Sequence, residues 1–260
     1  MSVSSGSIRG RRVISAMISS VLLAGVVGIV LSANGWKRDL HVRAVRVEGN
    51  ALLTKTEILS LAAIPANENI YDLDLYAMRQ RIQQNYFVKN ADVNRHLSGE
   101  LTLSIVERIP VATLVLNRLL YIDAEGYVLP SFRPERVFDL PVITGSMPLA
   151  DCLPGRRITD GPVREALDIL AMSKCGADEF EQLISEIHIE PDSALRILTN
   201  ESGIPVEFGR GDDALKIAML EGFWNTYVLR RGASELTNID LRFADQVVVR
   251  WNRPDDPLKQ

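Results

Sequence analysis

The sequence predicts an α+β protein with an N-terminal transmembrane helix, a small β-α-α-β-β domain and a larger β-rich domain that ends in an antiparallel ribbon. Three observations lead to this fold class. A long charge-free run lies near the N-terminus, helical apolar repeats follow between strand-like segments, and short alternating apolar segments dominate the rest. The composition, 47% apolar and 24% charged, is that of a folded globular protein.

Residues 13–31 carry no charged side chain, and at ~1.5 Å per residue they are long enough to cross a bilayer core of roughly 30 Å. Arg9, Arg11 and Arg12 precede the run and are expected to stay in the cytoplasm. We therefore predict a cytoplasmic tail at 1–12, a transmembrane helix at 13–33 and a linker at 34–41. The alternative is a cleaved secretory signal with Ala33 as a weak cleavage site, although signal cores are shorter, about 7–15 residues. In both cases the body is exported.

The exported body is acidic. Residues 1–33 hold three of the 29 basic residues and none of the 33 acidic ones, which leaves 26 basic against 33 acidic residues and a net charge of −7. This negative net charge argues against nucleic-acid binding, because phosphate contacts need clustered Lys and Arg. The two cysteines, Cys152 and Cys175, exclude a four-cysteine zinc site; they could pair in an oxidising compartment or stay as buried thiols.

Residues 42–107 contain five elements in the order β-α-α-β-β. In the first strand Val45 and Val47 share a face, and a Gly49-Asn50 turn ends it. Thr54 and Glu57 then predict a capping box at the start of a helix. A second helix, beginning near Asp72 or Asp74, carries four apolar residues at helical spacing: Leu75, Met78, Ile82 and Tyr86. Two strands joined by a Ser98-Gly99 turn follow. Apolar residues share one face of each strand: Ala91, Val93 and Leu97 in the first, and Leu101, Leu103 and Ile105 in the second.

The remaining chain is predicted to be mostly strand. Residues 106–114 lead out of the last strand of the 42–107 segment. Strand patterns then occur at 119–130 with a turn at 123–126, 140–145, 184–190, 194–200, 205–210, 235–243 and 246–251. One helix is predicted from Pro162 to Ala171. A second, amphipathic helix begins near Asp212-Asp213 and carries Leu215, Met219 and Phe223.

The β-α-α-β-β order, with V-E-G-N at 47–50, resembles the POTRA domain, and this resemblance implies a POTRA domain at 42–110. Further phrases stand in a fixed order: E-R-x-P-V-A at 107–112, Y-I-D-x-E-G at 121–126, L-P-V-I-T-G at 140–145, F-G-R at 208–210, and I-D-L-R-F with V-V-R-W between 239 and 251. With the N-terminal anchor, these phrases resemble the FtsQ/DivIB family of bacterial cell-division proteins. The resemblance implies a β domain at 111–252 and leaves a polar tail at 253–260. The residues at 243–246 depart from the small or Gly residue that the family often has in its last turn.

The sequence offers no active site. His41, His96 and His188 are far apart in the sequence, and this spacing argues against a zinc site. Asp72 and Asp74 are better explained as helix-capping residues than as a catalytic pair. Neither a phosphate-binding loop nor a nucleophile elbow is present. We therefore predict no catalytic residue, no metal ligand, no cofactor and no small-molecule substrate.

The C-terminal ribbon is the predicted binding surface. Its first strand alternates Ile239, Leu241 and Phe243 on one face, and its second alternates Val247, Val249 and Trp251, with Val248 and Arg250 opposite. The last strand is either an open sheet edge or an interior strand with Trp251 in the core. The family resemblance favours the edge, because in FtsQ proteins this ribbon and the preceding helix bind FtsB within the FtsB–FtsL pair. The expected partner-binding residues are Arg242, Phe243, Ala244, Asp245, Gln246, Val247, Val248, Val249, Arg250 and Trp251.

The resemblance implies a non-enzymatic scaffold of the division machinery. It would link early and late division proteins at the septum, help control septal peptidoglycan synthesis and recruit other division proteins through its POTRA domain. Its expected location is the inner membrane, as a single-pass type II protein with a periplasmic body. One alternative is a POTRA-type chaperone in protein export or outer-membrane assembly, but fewer than 155 residues follow the POTRA-like unit, and helical patterns interrupt them. A second alternative is an anchored enzyme acting on cell-wall material. Such an enzyme would need converging acid–base or metal groups, and the sequence shows none.

Overall fold

The computed structural model describes residues 17–29, 40–131, 138–175 and 182–252. Helix α1 covers residues 17–29 within the predicted span. Residues 13–16 and 30–33 of that span lie outside the described residues, as do the predicted tails at 1–12 and 253–260 and most of the linker. Within the part of the chain that is described, no helix is both long and apolar enough to cross a membrane. The chain divides into two compact units, Met1–Glu107 and Arg108–Gln260.

The first unit contains the five predicted elements in the predicted order. They are β1 (Ala44–Glu48), α2 (Lys55–Ala62), α3 (Leu75–Gln83), β2 (Val88–Arg95) and β3 (Glu100–Glu107). The three strands form a sheet in the order β1-β3-β2, with β1 parallel and β2 antiparallel to β3. This arrangement confirms the β-α-α-β-β prediction.

Side-chain caps fix where the two helices of this unit begin. Thr54 Oγ1 accepts a hydrogen bond from the Glu57 amide, and Glu57 Oε2 accepts one from the Thr54 amide, so the capping box is present. Asp74 caps α3 by accepting a hydrogen bond from the Ala77 amide at 3.0 Å. The helix-capping interpretation of Asp74 is therefore confirmed.

The core of the first unit lies between the helices and one face of the sheet. Its buried side chains include Ile58, Met78, Ile82, Ala91, Leu101, Leu103 and Ile105. Leu97 was wrongly assigned to β2: the strand ends at Arg95 and Leu97 is exposed. The reason is the turn, because the His96 amide donates to Glu100 O and the Gly99 amide donates to His96 O. Tyr86 likewise lies beyond the end of α3 and is exposed.

The described part of the second unit contains nine strands and two main helices. The strands are β4 (Pro110–Val115), β5 (Leu119–Asp123), β6 (Val128–Pro130), β7 (Val142–Gly145), β8 (Ile184–Ile189), β9 (Leu195–Thr199), β10 (Pro205–Gly209), β11 (Leu236–Asp240) and β12 (Val248–Trp251). The helices are α4 (Gly161–Ser173) and α5 (Asp213–Phe223), and α5 continues through a π-helical turn (Trp224–Val228) into the short α6 (Leu229–Arg231).

All nine strands form one sheet, in the order β12-β11-β10-β9-β8-β7-β4-β5-β6. The pairs β4–β7, β7–β8 and β10–β11 are parallel, and the others are antiparallel. Helices α4 and α5 pack against each other, and their buried residues join those of the sheet in one core that includes Leu167, Ile187, Phe208, Leu220 and Trp224. The mixed α+β class and the C-terminal antiparallel ribbon are thereby confirmed.

The E-R-x-P-V-A and Y-I-D-x-E-G segments contact each other within the second unit. Arg108 Nη1 donates to Asp123 Oδ2 at 2.7 Å in a largely buried ion pair, and its guanidinium lies 3.6 Å from the centre of the Tyr127 ring. Asp123 Oδ1 also accepts from the amides of Glu125 and Tyr127, which closes the β5–β6 turn. These contacts tie Arg108, at the start of the unit, to the β5–β6 hairpin.

Gly145 is required by a close backbone approach. Its φ is +94°, and a Cβ atom there would lie 2.1 Å from Ile189 O on the neighbouring strand β8. No side chain fits at that distance. The glycine of the L-P-V-I-T-G phrase therefore allows β7 and β8 to pair to their ends.

Candidate partner-binding edge

Strand β12 is an edge of the nine-stranded sheet. Among the described residues it pairs only with β11, in antiparallel register, with Asp240 opposite Val248 and Ile239 opposite Val249. Of the two alternatives left open by the sequence, the edge strand is the one observed. Trp251 is nevertheless half-buried and packs against the core together with Val247 and Val249.

The hydrogen bonds at the end of β12 show which backbone groups face outward. The Asn252 amide donates to Glu235 O at 2.6 Å, and Thr237 Oγ1 donates to Arg250 O at 3.0 Å, both toward β11. Backbone groups of successive residues in a strand point to opposite sides. Val248 and Arg250 therefore direct their N–H and C=O groups to β11, and Val249 and Trp251 direct theirs to the open edge.

The opposite edge of the sheet is covered by the chain itself. On the outer side of β6, the Val128 amide donates to Arg156 O and the Gly155 amide donates to Val128 O, both at 2.8 Å. Among the described residues, no comparable backbone bond reaches the outer groups of Val249 or Trp251. Within the described part of the second unit, β12 is thus the edge that can accept another strand.

An open groove runs beside this edge, between the ribbon and the helical segment 213–231. Its helical wall consists of Met219, Gly222, Phe223, Tyr227 and Arg231, and its ribbon wall of Asp245, Gln246, Val247, Val249 and Trp251. The groove has a volume of about 490 Å³. The rings of Phe223 and Tyr227 stack with centroids 5.5 Å apart, and Tyr227 is 48% exposed. The groove thus combines apolar surface with access to solvent.

Tyr227, in the wall of this groove, was not predicted from the sequence. The apolar spacing predicts Leu215, Met219 and Phe223 on one helical stripe, but Leu215 is exposed, whereas Ile217 and Leu220 are buried. The π-helical turn at Trp224–Val228 adds residues per turn, so the 3.6-residue repeat no longer applies beyond Phe223. Nothing in the local sequence signals this change of helix type.

Arg242 is held at the start of the last turn. Its Nε and Nη2 donate to Asp240 Oδ1 and Oδ2 at 2.9 and 2.6 Å, and its amide donates to Asp240 Oδ1 at 3.0 Å. The hydrogen bond from the Arg242 side chain holds the pKa of Asp240 below its ordinary value, against a smaller opposing effect of burial. The Arg242 side chain remains 56% exposed, so it lies on the accessible surface of the turn.

This turn shortens both predicted strands of the ribbon. The prediction of strands at 235–243 and 246–251 was too long, since β11 ends at Asp240 and β12 begins at Val248. The Asp240 side chain binds the Arg242 amide and so diverts the backbone from the ladder. Phe243 therefore leaves the face that Ile239 and Leu241 share: both of those are buried, whereas Phe243 is 49% exposed.

All ten predicted partner-binding residues lie on one continuous stretch next to the open edge. Arg242, Phe243, Ala244, Asp245 and Gln246 are exposed in the turn, where Asp245 has a φ of +56°. Val247, Val249 and Trp251 face the groove and core, and Val248 and Arg250 are exposed on the other face. The stretch offers outward backbone groups, an apolar groove on one side and a cationic side chain at the turn.

The other candidate residues do not converge. Cys152 is buried and Cys175 exposed, and neither forms a disulfide. His96 contacts Thr102 in the first unit, whereas His188 contacts Thr144 in the second. Among the described residues, no group of three or more His, Cys, Asp or Glu side chains is arranged to hold a metal ion.

Comparison with known proteins gives two consecutive family matches. Residues 40–108 match the POTRA domain, FtsQ-type, and residues 114–242 match the C-terminal domain of cell division protein FtsQ/DivIB. The second match ends at Arg242, so the turn and β12 lie beyond it.

Similarity to individual proteins extends over nearly the whole chain. The chain is 31% identical to the cell division protein FtsQ of Rhodothermus marinus over 247 residues, which cover 92% of this chain and 87% of that protein. It is 30% identical to FtsQ of Geotalea daltonii over 240 residues, covering 91% and 84% of the two chains. With FtsQ of Salinibacter ruber it shares 28% identity over 257 residues, covering 95% and 96%.

Proposed function

The chain belongs to the FtsQ/DivIB family of cell division proteins, and on this premise we propose that it is a non-enzymatic scaffold of the division machinery. It links early and late division proteins at the septum and helps to control septal peptidoglycan synthesis. The observation that carries this proposal is the unpaired outer edge of β12 beside an apolar groove.

The binding mechanism we propose is β-augmentation by a partner of the FtsB/FtsL type. A partner strand adds to β12 and bonds to the outward N–H and C=O groups of Val249 and Trp251, which supplies affinity independent of sequence. Side chains on alternate positions of that strand then meet two different surfaces. One is the groove with Phe223 and Tyr227, and the other carries Val248 and Arg250, so specificity comes from these side chains.

Membrane anchoring completes the proposal. Residues 13–33 span the inner membrane once with the N-terminus in the cytoplasm, the POTRA domain is 42–110, the β domain is 111–252, and both are periplasmic. An anchor confines the binding edge to a thin layer beside the membrane, which raises its effective concentration toward other anchored partners. The POTRA domain supplies a second contact surface, for other division proteins.

The anchor is tested by topology. A reporter that is active only in the periplasm, fused after Gln260, should give activity that depends on residues 13–33, and the mature protein should retain those residues. A mature N-terminus near residue 34 would instead identify a cleaved signal peptide and remove the anchor from this account.

The scaffold role is tested in dividing cells. A fluorescent fusion of the full chain should concentrate at the constriction site and should capture the FtsB-like protein of the same organism from detergent-solubilised membranes. The same fusion lacking residues 246–260 should lose the capture. A diffuse envelope signal throughout constriction would contradict a division role, and undiminished capture by the truncated chain would contradict the proposed edge.

A further inference from the structure

The side chain of Arg242 lies against a glycine at the end of the neighbouring strand β10. Gly209 is the last residue of that strand, and its φ is +74°. A Cβ atom at Gly209 would lie 3.0 Å from Arg242 Cγ, closer than the ordinary contact distance between carbon atoms of about 3.5–4.0 Å. The aliphatic part of Arg242 therefore occupies space that a side chain at position 209 would need.

Lys216 of α5 borders the same space. Its Nζ would lie 3.8 Å from that Cβ atom, and it donates to Arg210 O at 2.9 Å. Lys216 is 8% exposed, whereas the Arg242 side chain is 56% exposed. Because the lysine is enclosed and hydrogen-bonded, Arg242 is the side chain that has to move when position 209 gains a Cβ atom.

The position of this aliphatic part decides how the guanidinium group meets Asp240. Arg242 Nε and Nη2 donate to the two carboxylate oxygens of Asp240, so the pair is bidentate. This pair uses two of the five N–H donors of the guanidinium group, and the other three have no hydrogen-bond acceptor among the described residues. A displaced Arg242 would lose the bidentate geometry and would move the three remaining donors.

Arg242 is the group that lowers the pKa of Asp240. Its side-chain hydrogen bond contributes most, its amide and its charge add to the effect, and burial opposes it. From β10, Glu207 lies opposite Asp240, and its carboxylate accepts a hydrogen bond from Arg196 of β9 at 3.1 Å. From β12, uncharged Val248 lies opposite Asp240. The acid dependence of stability that Asp240 causes therefore reports whether Arg242 is in place.

We propose that Gly209 is a positioning residue for Arg242: the missing side chain lets the arginine lie against β10, and this contact holds the guanidinium group on Asp240 beside the binding edge. The inference rests on the proposed function in one respect, namely that Arg242 contacts the partner. The glycine of the F-G-R segment thus acts on recognition through Arg242.

The test without a partner is the acid dependence of stability in urea melts of the full chain. Asp240→Asn should cost stability at pH 7 but not at pH 3, because a lowered folded pKa gives stability that is present above the ordinary value and lost as the pH falls through the folded value. In a Gly209→Ala background this pH-dependent cost should fall by about half or more, because a displaced Arg242 no longer lowers the pKa of Asp240.

Gly211→Ala is the matched control. Its φ is +67°, so an alanine there is also strained, but its Cβ atom would meet nothing within 4 Å. The pH-dependent cost of Asp240→Asn should therefore be the same in the Gly211→Ala background as in the parent chain. An undiminished cost in the Gly209→Ala background would overturn the proposal.

A second pair of variants separates the close contact from backbone strain. Asn tolerates a positive φ better than Ala does, so Gly209→Asn and Gly211→Asn should fold even where the alanine variants are too strained. Gly209→Asn should lose the acid dependence that Asp240 causes, and Gly211→Asn should keep it. Equal acid dependence in these two variants would contradict positioning by Gly209.

A binding measurement connects the positioning to the proposed function. In calorimetric titration with the soluble part of the FtsB-like partner, Gly209→Ala should bind about fivefold more weakly than Gly211→Ala, as expected for the loss of about one hydrogen bond. In an Arg242→Ala background the two should bind equally, and a persisting difference would show that Gly209 does not act through Arg242. If the parent chain does not bind this partner, the proposed function fails, whereas the acid dependence still decides whether Gly209 positions Arg242.

Discussion

The outward amide of Val249 provides a sharp test of strand addition at β12. Because the outer groups of this short edge come from Val249 and Trp251, Val249→Pro removes one of two outward N–H donors. The lost hydrogen bond costs about 1 kcal/mol, and a partner carbonyl left buried without a donor costs about 1–3 kcal/mol more. The total of about 2–4 kcal/mol corresponds to a loss in affinity of about 30-fold or more.

Two neighbouring substitutions separate the backbone contribution from other effects. Val249→Ala keeps the amide and trims a half-buried side chain, so it should weaken binding by about 1 kcal/mol or less. Val248→Pro removes an amide that faces β11, so it should lower the melting temperature of the chain itself.

The assay is calorimetric titration of the purified full chain with the soluble part of the FtsB-like partner, and a thermal melt accompanies each variant. The expected order of affinity is parent chain, then Val249→Ala, then Val249→Pro by a wide margin. If Val249→Pro stays folded and binds like the parent, the edge of β12 is not the recognition site, and the reasoning from backbone alternation fails.

Three further outcomes are expected. Deleting residues 253–260, a polar tail, should leave partner capture nearly intact, whereas deleting 246–260 should abolish it; equal losses in a pull-down would place recognition in the tail. The variant Asp240→Asn should be less stable than the parent chain at pH 7, and the two should converge as the pH falls, because a lowered folded pKa gives stability that is present above the ordinary value and lost in acid; urea melts at pH 7 and pH 3 measure this. Finally, Gly145→Ala should destabilise by about 2–4 kcal/mol through its clash with β8, against about 1–2 kcal/mol for Gly161→Ala, which also has a positive φ but meets open space; similar losses in denaturant melts would contradict the close approach.

Local signals in the sequence were sufficient to predict the helices and strands of the first unit. Its helix starts depend on Thr54, Glu57 and Asp74, which cap helices only a few residues away, so sequence alone can reveal them. The alternation of Leu101, Leu103 and Ile105 likewise reports a strand with one buried face. The assignment of Leu97 failed because a turn that closes the β2–β3 hairpin removes it from the strand.

The binding edge was predictable only in part. The alternating pattern of residues 247–251 indicated a strand but left open whether it was an edge or an interior strand. The family resemblance favoured the edge, and the structure has an edge strand there. Sequence spacing could not reveal that the Asp240–Arg242 contact ends β11 early, or that a π-helical turn brings Tyr227 into the groove. Both features depend on a side-chain contact or a helix type that leaves no periodic signal.

Contacts between segments that are distant in the sequence could not be predicted either. The E-R-x-P-V-A and Y-I-D-x-E-G segments resemble the family, but their spacing does not show that Arg108 pairs with Asp123 and lies over Tyr127. The requirement for glycine at position 145 arises from β8, 44 residues further along the chain. Such pairings follow from sheet topology, which single-sequence patterns leave open.

Strand addition is measured most directly by amide hydrogen exchange of the full chain with and without the FtsB-like partner. The account predicts that the amides of Val249 and Trp251 exchange freely in the unbound chain and become strongly protected in the complex, while amides of β6 at the far edge do not change. A stable complex that leaves the exchange of Val249 and Trp251 unaltered would contradict strand addition at β12.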